Sequence, residues 1–202
     1  MFALIENGQF VKIVNSNKGI TIGDNQYPKS IYNLWSEDER NAIGIYEVSV
    51  DNTNKKDEAY YINTDISYSF DGSSVIGSYG TATPKPLDDV LFVEGDEIPS
   101  DKQVGDVKQY GLKGLEIAKI KAQAGGLLAP TDWYVVKATE VADYSVPSDI
   151  ATYRANVRTK SNEMETQINA CTTVDELKAL YEYTEDAEGN ITRPLAEFPE
   201  EL

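Results

Sequence analysis

The chain contains no histidine. That excludes histidine acid–base catalysis, the Ser-His-Asp and Cys-His nucleophile arrangements, and histidine-ligated zinc. Cys171 is the only cysteine, so no disulfide can form within the chain and a reducing compartment is the expected setting. Flanked by Ala170 and Thr172, it reads as a small apolar residue at a helix end rather than a reactive thiol. No apolar run approaches the roughly 20 residues of a membrane-spanning helix, and the N-terminus lacks a basic-then-apolar leader pattern. Positive charge is scarce: 18 Lys and Arg stand against 34 Asp and Glu, for a net charge of −16. Such a chain repels phosphate backbones and anionic membrane surfaces, so neither nucleic acid nor membrane is an expected partner.

What is present is tyrosine. Thirteen Tyr accompany only 5 Phe in 202 residues of 41% hydrophobic content. Such a composition suits small sheets and hydrated protein–protein contacts, where the ring packs and the hydroxyl stays wet. The length allows one sizeable core or two smaller ones.

Residues 1–83 read as a Tyr-rich β domain. Two apolar runs flank Asn7-Gly8, and both residues tolerate the positive φ of a tight hairpin turn. Ser36-x-x-Glu39 is a capping-box pattern and predicts a short helix over 37–42, ended by Gly44. Residues 45–50 alternate as a strand, and the runs on either side of Asp71-Gly72 predict a second hairpin.

Residues 84–105 read as an acidic linker containing Asp88, Asp89, Glu94, Asp96 and Glu97. A helical module is expected over 106–182. Residues 107–121 are helical by period, with Gly125-Gly126 as the stop, and 131–140 suggest a short strand or extended turn. The firmest signal is the helix over 148–170. There Ile150, Tyr153, Val157, Ser161, Met164, Ile168 and Cys171 recur at steps of three and four. Thr173-x-x-Glu176 is a second capping box, opening a short helix that should form a hairpin with the long one. Residues 183–202 form an acidic C-terminal tail. The fold class expected is therefore α+β: an antiparallel β-rich domain followed by a small helical domain.

Chemistry is hard to find in these residues. The acids at 88–97 do not follow the spacing of a calcium-binding EF-hand loop, and a solvated linker accounts for them. Carboxylate pairs suited to glycoside cleavage arise by chance in a chain with 34 acids, so they carry no signal. The phosphate-loop spacing is absent. No catalytic residue, cofactor or metal is expected. The candidate partner-binding residues are Trp133, Tyr134, Arg154 and Arg158, because Trp, Tyr and Arg dominate binding hot spots. Each also has a structural reading: Asp132 could cap a turn while Trp133 anchors the helix hairpin, and the two arginines could pair with the chain's own acids.

Thr131-Asp132-Trp133, followed about twenty residues later by Tyr153-Arg154 and Val157-Arg158, resembles the C-terminal module of tailed-bacteriophage tail-fibre assembly and tail-accessory proteins. The N-terminal half is also similar to the N-termini of phage tail proteins. It has the Asn7-Gly8 hairpin, Tyr27-Pro28-Lys29-Ser30-Ile31, Trp35-Ser36 followed by Glu39-Arg40, and Gly44-Ile45-Tyr46. The two regions cover about half of the chain. The resemblance implies a non-enzymatic viral structural protein of the virion tail, made in the host cytoplasm. It would join or decorate tail fibre and baseplate through protein–protein contacts, within an oligomeric assembly. It also implies an alternative, a tail-fibre assembly chaperone absent from the mature virion. A small polysaccharide-binding module is a further alternative, since tyrosines can stack on sugars.

Overall fold

The computed structural model describes residues 1–185 and 187–201. The protein is α+β, with strands concentrated in the first half and helices in the second. It divides into two compact units, Met1–Thr83 and Pro84–Leu202. Among the described residues no helix is long and apolar enough to cross a membrane.

In the first unit, β1 (Phe2–Glu6) and β2 (Gln9–Val14) form a hairpin. Its turn residues Asn7 and Gly8 take φ of 52° and 76°, the left-handed values that a tight hairpin turn requires. A second small hairpin joins β3 (Ile20–Ile22) to β4 (Asn25–Tyr27). Two short helices follow, α1 (Ile31–Leu34) and α2 (Glu37–Ala42). Ser36 and Glu39 close a reciprocal capping box at the start of α2: the Ser36 Oγ accepts from the Glu39 N–H while the Glu39 carboxylate accepts from the Ser36 N–H. Then come β5 (Ile45–Asp51), β6 (Tyr61–Ile62), β7 (Ile66–Phe70), β8 (Val75–Tyr79) and β9 (Thr83–Pro84).

Five strands make one sheet in the order β2-β1-β5-β8-β7. Every pairing is antiparallel except β5 with β8, where Val48 faces Val75 in parallel register. That parallel pair follows from the long connection after β5, which puts β7 at the far edge before β8 returns beside β5. The edge strands approach each other, with Phe10 of β2 stacked on Tyr68 of β7 at 5.0 Å, so the sheet curls on itself. Ala3, Ile5, Val48 and Val75 fill one face together with Phe10, Tyr46, Tyr68 and Phe70. Leu4, Val14, Ile31, Tyr32 and Ile45 fill the other, beneath α1. Alternating residues of β1 thus serve two cores, as period-2 side-chain geometry dictates.

In the second unit, β10 (Val90–Leu91) pairs with β11 (Val107–Gln109). Four helices follow: α3 (Leu112–Leu128), α4 (Asp132–Glu140), α5 (Ser148–Ala170) and α6 (Val174–Ala179). A 3₁₀ turn at Ala129–Thr131 joins α3 to α4, and a last pair of two-residue strands, β12 (Thr184–Glu185) and β13 (Ile191–Thr192), forms a small hairpin. The stripe read from the sequence is the buried face of α5: Ile150, Tyr153, Val157, Ser161, Met164 and Ile168 are all covered. Thr173 and Glu176 make the capping box of α6.

Several local expectations change. The helix expected over 107–121 begins at Leu112 and runs through Gly125-Gly126 to Leu128. Two glycines cost about 1 kcal/mol each in a helix. Packing offsets that cost, because Leu127 and Leu128 lie against the Ala124, Tyr153 and Val157 cluster. Residues 132–140 are helical, not extended. The β-branched and aromatic residues there favour strand locally, but only Tyr134 and Ala138, one turn apart, face inward. The main packing partner of α5 is α3.

The segment expected to be an acidic linker over 84–105 is folded into the second unit. The Asp89 carboxylate accepts from the Gly111 N–H at 2.7 Å and so caps α3, Asp88 pairs with Lys113 at 2.9 Å, and Asp96 pairs with Lys108 at 2.9 Å. The tail is docked as well. Leu195 is buried and its N–H donates to the Leu180 carbonyl at 3.0 Å, while Gln167 donates to the Pro194 carbonyl at 2.8 Å and accepts from the Ala196 N–H at 2.9 Å.

Candidate functional site

The resembling motif of the C-terminal half comes together around Arg154. In an isolated helix Arg154 would point to water, but the Thr131-Asp132 corner where α3 turns into α4 lies over it. One guanidinium nitrogen, Nη1, donates to the Leu128 carbonyl at 2.9 Å and to the Thr131 hydroxyl at 2.6 Å, and Nη2 donates to the Asp132 carboxylate at 2.7 Å. The Thr131 hydroxyl in turn donates to the Leu128 carbonyl at 2.8 Å. Leu128 sits at the C-terminal end of α3, where unsatisfied carbonyls and the helix dipole favour a cation. Arg154 and Thr131 are each 7% exposed. The planar fork of Arg suits this convergent set of acceptors, which a point-charge Lys would not fill.

This geometry corrects the expectation that Arg154 faces a partner. Its donors are spent internally on Leu128, Thr131 and Asp132, and the structural reading holds: it pairs with one of the chain's own carboxylates. Asp132 likewise does not cap a turn; it is the first residue of α4 and holds Arg154. Arg158, one turn further along α5, is exposed, and among the described residues its side chain makes a weak 3.4 Å donation to the Arg154 carbonyl.

Trp133 does not anchor a helix hairpin either. It is 51% exposed, with its ring against that of Tyr134 at 3.8 Å between centroids. The Lys137 ammonium lies 5.7 Å from the Trp133 ring centroid and 4.3 Å from that of Tyr144, so one cation bridges two aromatic faces. Val136 and Val141 extend the same helix end with exposed apolar surface. The solvent side of α4 is therefore aromatic and apolar, with a cation held in place.

Beside the Arg154 network lies a groove of about 500 Å³ between α3 and α5. Leu127, Pro130 and Tyr153 make its apolar wall, and Phe198 from the C-terminal tail closes one end. Phe198 packs on the same cluster as Tyr153 and Val157. The sequence reading passed over Gln167, Leu195 and Phe198. A local signal existed only for the last two, as apolar residues between prolines and acids at 194–199.

Among the described residues no group of three or more His, Cys, Asp or Glu is placed to hold a metal ion. Cys171 is buried, donates to the Gln167 carbonyl at 3.5 Å, and burial pushes its thiol pKa up. Comparison with protein-family models, with curated proteins and with solved structures returned no match to this chain.

Proposed function

We propose that this protein is a non-enzymatic structural component of a bacteriophage tail, joining or decorating tail fibre and baseplate through protein–protein contacts. The observation that carries the reading is the exposed Trp133–Tyr134–Lys137 stack, which stands in the middle of the motif that resembles tail-assembly proteins. Half-exposed Trp is costly to leave in water and is the side chain most enriched at binding hot spots. The buried Arg154 network supplies rigidity behind it: α4 is held at its first residue, so the aromatic face is presented in one orientation. Arg158 lies on the exposed flank of the neighbouring helix and completes the docking set.

Mass spectrometry of purified phage particles tests the reading. Stoichiometric presence supports a structural part. Absence from particles, with detection in infected cells, supports the second reading of a tail-fibre assembly chaperone, which the resemblance of the C-terminal module favours. In a pull-down with tail proteins, Trp133→Ala and Arg158→Glu should each weaken association while leaving the fold intact. Unchanged association in both variants would remove α4 and its flank from the interface.

A further inference from the structure

The first unit holds a second feature, unrelated to the docking surface, where β2, the following turn and β3 lie over α1. A pocket of about 410 Å³ opens there, within the size range of small-ligand sites. Lys12, Asn15, Lys18 and Thr21 contribute its polar rim, and Ile20 and Tyr32 its apolar part. Among the described residues no carboxylate lines it. In a chain with almost two acids for every base, two lysines converging on a pocket without acids is a departure from the mean. Elsewhere in this unit Lys55 pairs with Glu58, Lys56 lies over the Tyr61 ring, and Arg40 lies over the Phe2 ring. Among the described residues neither Lys12 nor Lys18 has an ion-pair partner.

Tyr32 forms the inner wall of the pocket. The residue is 5% exposed, its ring packs against Phe2 at 5.2 Å and within the Leu4, Val14, Ile31 and Ile45 core, yet its hydroxyl is buried without a hydrogen-bond partner. That hydroxyl has almost no accessible surface, so Tyr32 meets the pocket through its ring and not through its oxygen. The wall is preorganised: the ring is locked in the core, and Gly19 lies so close to the Tyr27 carbonyl that a Cβ would meet its oxygen at 2.5 Å.

We infer that this pocket binds an oxyanion, a carboxylate or phosphate group carried on a compact, sugar-sized molecule. The two ammonium groups would take the charge, the Asn15 and Thr21 side chains would offer neutral hydrogen bonds, and Ile20 and the Tyr32 ring would cover the apolar side of the ligand. The inference does not depend on the proposed function.

Calorimetric titration of the full chain tests it with four probes: glucuronate, glucose 6-phosphate, inorganic phosphate and glucose. Saturable binding of at least one anionic probe, with none for glucose, is the expected result. Tighter binding of the sugar anions than of inorganic phosphate assigns the ligand as an acidic sugar; equal binding assigns it as the free oxyanion. Lys12→Ala or Lys18→Ala should weaken binding roughly tenfold, the worth of one charge-assisted hydrogen bond. Lys102→Ala makes the same change in net charge away from the pocket and should leave binding unchanged. Tyr32→Phe keeps the ring that faces the pocket and should leave binding unchanged. The assignment fails if no anion saturates, if glucose binds as well as the anions, or if Lys102→Ala weakens binding as much as Lys12→Ala.

Discussion

Arg154 donates to the Thr131 hydroxyl at 2.6 Å across 23 residues of sequence, tying the start of α4 to the middle of the buried face of α5. The same nitrogen reaches the last turn of α3, so one side chain fixes three helices. A basic residue for which the sequence left both a docking role and an internal ion pair open is the polar centre of the helical unit.

The first prediction follows from that bond set. Replacing Arg154 by Met keeps the stem and leaves the Thr131 and Leu128 acceptors without a charged donor. It should lower stability by about 2–3 kcal/mol, in the range of a lost charged hydrogen bond at a buried site. Arg154→Lys should recover only part of this, since an ammonium cannot span the acceptors. Asp132→Asn should cost less than about 1 kcal/mol, because that carboxylate is 60% exposed and its pair is screened. Urea midpoints measure all three, and a cost for Asp132→Asn equal to that for Arg154→Met would contradict the ordering.

Two glycines of the same helix should respond in opposite directions. A Cβ on Gly125 meets nothing within 4 Å, so Gly125→Ala should stabilise by about 0.5–1 kcal/mol through helix propensity. Gly111 caps α3 against the Asp88 carbonyl, and a Cβ there would overlap backbone that cannot move freely. Gly111→Ala should destabilise. Thermal unfolding of the two variants checks the contrast.

Ile168 of α5 and Leu195 of the C-terminal tail are both almost fully covered. Truncation to Ala should cost about 2–5 kcal/mol at each. Asn156→Ala, on the exposed side of α5, should cost little. Limited proteolysis adds a separate readout: Leu195→Ala should make the segment after α6 the first to be cut, and uniform resistance would mean that Leu195 does not hold the tail.

Acid should weaken the fold in a defined window. Asp71 accepts from the N–H and hydroxyl groups of Ser74 and Ser73, and these bonds hold its carboxyl far below the ordinary carboxylate range. Glu39 and Glu176 are lowered by the N–H and hydroxyl of Ser36 and Thr172, and Asp96 by the Lys108 ammonium. A folded-state pKa below the unfolded value means stability that is fully present above the unfolded value of about 4 and is lost as pH falls through the folded one. Denaturant midpoints should therefore be level from neutral pH to about pH 5 and fall below about pH 4. Asp71→Asn should lower stability at neutral pH and make the acid decline shallower; an unchanged slope would exclude Asp71 as a contributor.

Several elements needed only their own residues. The Asn7-Gly8 turn, the two capping boxes at Ser36 and Thr173, and the apolar stripe from Ile150 to Ile168 are each written within a few positions, because turn geometry, cap bonds and the 3.6-residue period act over one or two turns of chain. The lack of histidine and the excess of acid are likewise complete in the sequence. Tertiary structure decided the rest. It carried α3 through Gly125-Gly126, because packing outweighs propensities of about 1 kcal/mol or less per residue; the strand-like Trp133–Val136 run is helical although α4 buries no residue, and the structure offers no packing reason for it. It set β5 parallel to β8, turned Asp89 from a linker acid into a helix cap, and drew Leu195 onto the helices. It also separated Arg154 from Arg158. Both lie on one flank of α5 one turn apart, and only the position of a corner more than twenty residues away determines which guanidinium is buried and which meets solvent.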